Sequence, residues 1–277
     1  MQQQAAWHAQ HEDGAAKLSA TISDMKGFYV KAAQIIATRG DLFPEQYTDK
    51  LTKFSDNLDP MPTEMVKAII VQELLQENGE KFDDVFTQLD SEPLGAASIA
   101  QVHRAVLTEK YGSREVAVKV QRPSIESKLL GDVANLKMIA KVLKDADVSP
   151  VDYYPIFQEL EVQLANEFDF HKEATAMDSI YTSLEKSFGG SHKTENPVVI
   201  PISVPGLVSR RVLVMDYLDG TPLSRAQDKM KTAGIKPGSP RAKLFGKKLV
   251  GDLTQVFGRN ILETGLFHAD PHPGERC

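Results

Sequence analysis

Apolar and polar positions along this chain follow two periods. Over residues 1–90 the spacing is helical. Phe28, Ala32, Ile35 and Ile36 share one helical face, and Lys31, Gln34 and Thr38 fall at i, i+3 and i+7 on another. Gly40 reads as a helix stop. A further helix opens at Pro62-Thr63, carries Met65, Val66, Ile69, Ile70 and Leu74, and closes at Gly79. Phe82, Val85, Phe86 and Leu89 predict one more short helix. Then the period changes. Residues 98–107 are rich in small and β-branched side chains, Gly112-Ser113 is a turn signal, and 115–120 alternates around Lys119. This stretch predicts a β-hairpin, preceded by a tight small-residue turn over 95–98.

Helical spacing returns with Ile125, Leu129, Val133, Leu136, Ile139, Ala140 and Leu143. Ser149-Pro150 is an N-cap followed by proline at the first helical position. The helix it opens carries Phe157, Leu160, Leu164 and Phe168 on one face, together with Glu167, Asp169 and Glu173. Residues 198–204 and 211–215 read as two strands around Gly206, and MDYLDG at 215–220 as a strand end passing into a loop. A Gly/Pro/Ser-rich loop spans 234–240. A helix over 243–263, with Leu249, Leu253, Val256, Phe257 and Ile261 inside, ends at Gly265. Strands set between helical stretches give an α+β class.

Composition bounds what such a fold can do. The chain has 277 residues, 42% hydrophobic and 25% charged, enough for a core and for two lobes. Its net charge of −6 argues against a general nucleic-acid binder, which carries a basic surface. Cys277 is the single cysteine, so no disulfide forms within the chain, which fits a reducing compartment. No run of about 18 apolar residues is present, so no transmembrane helix is expected. The first residues lack the charged start and apolar core of a signal peptide and the arginines of a transit peptide.

Three places carry candidate chemistry. The turn at 95–98 has free backbone N–H groups beside the lone ammonium of Lys119, an arrangement that suits a polyphosphate. Against it stands the reading of Lys119 as a solvent-facing lysine on an edge strand. Asp169 and Glu173 are like charges at i, i+4, which destabilise a helix unless cations answer them. Lys119 and Lys31 are candidates for that answer; the alternative is a solvated acidic face with His171 and Lys172 as local partners. His268, Asp270 and His272 have ligand chemistry for zinc or iron. Two prolines stiffen that segment and no further histidine motif completes it, so no autonomous metal site is expected.

The segment PLGAASIAQVHRA at 93–105, with VAVKVQRP at 116–123, resembles the ABC1/UbiB (aarF-domain) atypical kinases, where an alanine-rich turn replaces the usual glycine-rich loop. FYVKAAQ at 28–34 resembles the family's Lys-x-Gly-Gln motif, with Ala33 at the glycine. ANEFDFHKEA at 165–174 matches its Glu-x-Asp motif and downstream Glu-Ala, and HADPHPG at 268–274 matches seven residues of its catalytic loop. The likeness runs from about Lys17 to Gly274.

It implies a protein-kinase-like fold with a helical extension (1–90), a mixed N-lobe (91–218) and the start of a helical C-lobe (219–277). It implies ATP and Mg2+ as cofactors. Lys119 would hold the α- and β-phosphates and Glu173 would fix Lys119. Ala96, Ala97 and Ser98 would cover the phosphates, Met215 and Tyr217 would lie at the hinge beside adenine, and Asp270 would act at the nucleophile. Lys31, Gln34, Glu167 and Asp169 would form the family's regulatory motif, which packs over the site. Where the family has a metal-binding asparagine this chain has Glu275, and it stops before an Asp-Phe-Gly-type aspartate. The expectation is therefore a chain cut off in its catalytic loop, with a C-lobe helix short of apolar partners and poorly soluble. The implied role is ATP phosphoryl transfer supporting ubiquinone or other prenyl-quinone metabolism, at a mitochondrial or plastid membrane, with a prenyl-quinone lipid, membrane surface or protein as partner. The alternative is a catalytically inactive module that binds nucleotide, lipid or protein.

Overall fold

The computed structural model describes residues 2–25, 29–30, 33, 37, 40, 43–54, 60–97, 99–147, 152–188, 197–221 and 223–267. In chain order the elements are α1 (Gln2–Met25), α2 (Glu45–Leu51), α3 (Thr63–Ile70) running on into a π-helical turn (Val71–Leu75), α4 (Phe82–Val85), β1 (Phe86–Leu89), β2 (Gly95–Ala96), β3 (Ala100–Leu107) and β4 (Glu115–Gln121). Next come α5 (Ile125–Asp145), α6 (Tyr154–Glu167), α7 (Phe170–Ser187), β5 (Ser203–Val208), β6 (Val212–Asp216), α8 (Ala226–Thr232) and α9 (Pro240–Arg259), which ends in a second π-helical turn (Asn260–Thr264). The class is α+β, as the sequence implies.

One sheet runs in the order β1-β3-β4-β6-β5, with β2 paired to β3. Strand β1 is antiparallel to β3, with Phe86 opposite Leu107 and Leu89 opposite Ala105. The helical reading of Phe86 and Leu89 is thus corrected. A single helical turn ends at Val85, and Phe86 turns fully inward as the first residue of an edge strand. The hairpin forms as expected, turning through Gly112 (φ 96) and Ser113 (φ 47), both left-handed. Its second strand is not an edge. β4 lies between β3 and β6, and Val116, Ala117, Val118 and Val120 are all buried, so the strand does not alternate. Strands covered on both faces read as apolar runs. Gly206 lies inside β5 with φ 79. Between the pairs Ser203–Met215 and Val208–Leu213 the register shifts, so this glycine marks a bulge and not the turn. The turn is at Ser209, whose hydroxyl oxygen accepts from Arg211 N and Val212 N.

The chain divides into two compact units, Met1–Thr63 with Gly95–Gln101 and Val120–Phe168, and Glu64–Leu94 with Val102–Lys119 and Asp169–Cys277. In the first, Ile22, Val30, Ala33 and Leu51 make one core cluster. Leu129 and Val133 of α5 make another with Leu164 of α6 and Phe168. Ala33 is wholly buried there, so its methyl packs within that cluster. Ser149 and Pro150 lie outside the described residues; α6 begins at Tyr154, whose N–H is accepted by Asp152 at 3.1 Å. Ile139 is on the solvent side of α5.

In the second unit, Gly265 (φ 70) ends its helix as expected, whereas the helix expected to close at Gly79 ends at Leu75 and Gly79 (φ 68) lies in the turn that follows. The apolar face of α9 is only partly covered, in keeping with a helix short of apolar partners. Val256 is buried, but Leu253 and Ile261 are exposed, as are Leu244, Phe245 and Val250.

Candidate functional site

Strand β4 carries Lys119 and helix α7 carries Glu173. The apolar run on either side of Lys119 fixes the strand in the sheet, which leaves the lysine as its one charged inner residue. The Lys119 ammonium donates to both carboxylate oxygens of Glu173, at 2.7 and 2.8 Å. The ammonium also sits 4.9 Å from the ring centroid of Phe170, itself buried in the first turn of α7. Lysine has three N–H donors, and two are used here. The pair is only partly covered, with side-chain exposures of 26% for Lys119 and 42% for Glu173. Ion pairs this open contribute under about 1 kcal/mol to stability. Two-point geometry on a stiff strand and helix is better suited to aiming a cation than to holding the fold.

The start of α7 explains how Glu173 is aimed, and it corrects the sequence reading. Glu167, Asp169 and Glu173 are not on one helix. α6 ends at Glu167, and Asp169 takes an extended conformation (φ −119, ψ 94) as the N-cap of α7. Its carboxylate accepts from His171 N at 3.1 Å. The like-charge spacing of Asp169 and Glu173 is relieved by this break, since Asp169 faces the helix N-terminus and Glu173 faces Lys119. The Phe170 N–H donates to Arg210 O at 3.0 Å, tying the first residue of α7 to the β5–β6 turn.

The alanine-rich turn belongs to the first unit. Gly95 and Ala96 pair with β3 as β2, and Ala97 N donates to Ala100 O at 2.8 Å. Arg122 braces the turn from outside. Its Nε donates to Ala97 O at 2.9 Å and its backbone N–H to Ile99 O at 2.8 Å. The sequence signal for Arg122 is its place straight after a central strand and just ahead of Pro123. Gln121 donates to Phe168 O at 3.3 Å, at the C-terminal end of α6.

At the other motif Met215 is buried in β6 and Tyr217 follows the strand. Asp216 between them is held by Arg114 (2.9 Å) and accepts from Ile202 N (3.3 Å). The Arg104 guanidinium lies 5.3 Å from the Tyr217 ring centroid and pairs with Glu115. The segment is therefore fixed from both sides. Lys31, Gln34, Ser98 and Asp270 lie outside the described residues, as do His268 and His272. Among the described residues no group of three His, Cys, Asp or Glu side chains has the arrangement of a metal site, and no helix is long and apolar enough to cross a membrane.

Comparison with known proteins places the chain among relatives. Residues 53–275 match the model of the ABC1 atypical kinase-like domain. An uncharacterised protein of Synechocystis is 31% identical over 93% of this chain and 60% of its own length. The protein named Activity of BC1 complex kinase 1, chloroplastic, of Arabidopsis thaliana is 33% identical over 89% of this chain and 33% of its own length. A probable protein kinase UbiB of Azotobacter vinelandii is 30% identical over 94% of this chain. The chain spans 44% of that last relative's length. A domain model matched along most of the sequence settles the kinship: this chain belongs to the ABC1 atypical kinase-like family.

Proposed function

We propose that this chain binds a nucleoside triphosphate through Lys119 and Glu173 and takes part in ATP-dependent phosphoryl transfer in support of prenyl-quinone metabolism. The observation that carries the reading is the two-point hold of Glu173 on Lys119, which among the described residues uses two of the ammonium's three N–H groups and leaves the side chain partly open. A phosphate oxygen is the natural acceptor for such a donor. Lys119 would hold the α- and β-phosphates, and Glu173 would keep the ammonium from swinging away. Asp270, by its place in the matched catalytic loop, would orient or deprotonate the attacking group. The acceptor would be water or a small lipid-like molecule. Magnesium bound with the nucleotide would offset the charge on the phosphate oxygens; Glu275 is the carboxylate of this chain at the metal-ligand position, and carboxylates suit that ion. Family membership supports the quinone role, and relatives named chloroplastic favour a plastid over a mitochondrion.

The test is thermal unfolding with and without ATP and magnesium. At a ligand concentration of about 100 Kd the wild-type chain should gain about 2.7 kcal/mol. Lys119→Ala, if it weakens binding about tenfold or more, should cut that gain to about 1.4 kcal/mol or less while melting close to the wild type without nucleotide. An equal gain in both proteins would overturn the assignment.

A further inference from the structure

Helix α7 is held to the sheet at a second place. Asp178 Oδ1 accepts from Ser203 N at 3.0 Å, and its Oδ2 accepts from the Ser203 hydroxyl at 2.6 Å. One carboxylate thus grips the first residue of β5 through both backbone and side chain, and Ser203 is itself paired with Met215 of β6. The inward stripe of α7 is marked by the buried residues Phe170, Ala174 and Leu184. At α-helical spacing Glu173 lies about 60° to one side of that stripe and Asp178 about 80° to the other. Their partners are also apart, because β4 and β5 are separated by β6. Two strand spacings are about 10 Å. The helix is therefore held on both flanks, by Lys119 on one and by Ser203 on the other.

We propose that Asp178 is a positioning residue, which stops α7 from rolling and so keeps Glu173 against Lys119. With one flank free, a roll of about 15° would move a carboxylate at a radius of about 6 Å by about 1.5 Å. That displacement is enough to break a two-point contact at 2.7 and 2.8 Å. Asp178 needs no contact with ligand to do this. The inference rests on the nucleotide reading only for its consequence, since the clamp itself can be measured without nucleotide.

The experiment follows acetylation of Lys119 in the full chain by an N-hydroxysuccinimide ester, read by peptide mass spectrometry, with nucleotide absent. An ion-paired ammonium reacts slowly. Glu173→Gln sets the rate of the released lysine. Asp178→Ala should raise the wild-type rate about fivefold, and the double variant should be no faster than Glu173→Gln alone. Asp178→Asn, which keeps an oxygen for Ser203 N, should restore most of the protection. Should Asp178→Ala fail to fold, Ser203→Ala removes one of the two contacts and should give a smaller rise. If Asp178→Ala lowers the melting temperature but leaves Lys119 as slow as in the wild type, Asp178 is structural only and the proposal falls. It falls also if Glu173→Gln reacts no faster than the wild type. Addition of ATP and magnesium to the wild type is a separate arm: no protection there sinks the nucleotide reading and leaves the clamp standing.

Discussion

Gln101 is the polar residue whose loss should be felt most. It is fully buried at the start of β3, and its amide closes a reciprocal pair with one peptide unit. Met61 N donates to its Oε1 at 2.7 Å and its Nε2 donates to Met61 O at 3.2 Å. Met61 is only 7% exposed, so water does not readily replace either bond. Gln101→Ala removes two hydrogen bonds of about 1 kcal/mol each and leaves a donor and an acceptor without partners. The sum is about 2–4 kcal/mol, or a fall in melting temperature of about 5–12 °C. Gln101→Glu sharpens the test. In its protonated form the acid O–H can donate to Met61 O while the carbonyl accepts from Met61 N. Burial raises a carboxyl pKa, because the charged form loses its solvation. The sign follows from that rise. The variant's stability is fully present below the unfolded carboxyl range near 4.3 and is lost as pH climbs towards the raised folded value. It should therefore lie nearer the wild type at pH 5 than at pH 8, in urea unfolding followed by circular dichroism. A loss under about 1 kcal/mol for Gln101→Ala, or a pH-independent gap for Gln101→Glu, would refute the reasoning.

Two further predictions concern groups around the site. His103 is buried, its Nδ1 lies 2.7 Å from Asp90 O, and burial holds its pKa below the usual histidine value. The unfolded chain takes up that proton first as pH falls below about 6.5, so stability should drop there by up to about 1.4 kcal/mol per pH unit. His103→Gln should flatten that part of the pH profile, and an unchanged slope would exclude His103 as its source. Asp169→Ala removes the N-cap of α7 and should cost about 1 kcal/mol in urea unfolding. It should weaken nucleotide binding less than Glu173→Gln does, and the reverse order would contradict the cap role.

Much of this arrangement is legible in the residues themselves. Val116 to Val120 around one lysine, a glycine-serine turn before it and an alanine-rich turn ahead of β3 place the hairpin and Lys119 directly. Pairing with Glu173 follows from the family motif and is what the structure forms. The break at Asp169 is not legible from periodicity. Phe168 keeps helical spacing with Leu164, so the apolar face runs on across a backbone that has already left the helix. The cap signal, an aspartate that accepts from the N–H two residues on, is too short to outweigh four apolar positions. Lys119 looked like an edge residue because the partner on its far side, β6, comes about a hundred residues later. Gly206 misled for a related reason, since a glycine can serve a bulge or a turn, and only the register with β6 decides between them. The Asp178–Ser203 contact joins residues 25 apart with no pattern in either neighbourhood, and it needed the fold to be seen.

The central claim is that Lys119 and Glu173 hold a nucleotide. Isothermal titration of the full chain with ATP and magnesium, repeated on Lys119→Ala and Glu173→Gln, tests it most directly. The account predicts saturable binding to the wild type and a loss of about tenfold or more in each variant, as expected when one partner of a charged contact of about 1.5–3 kcal/mol is removed. Binding of equal strength in all three proteins would contradict it.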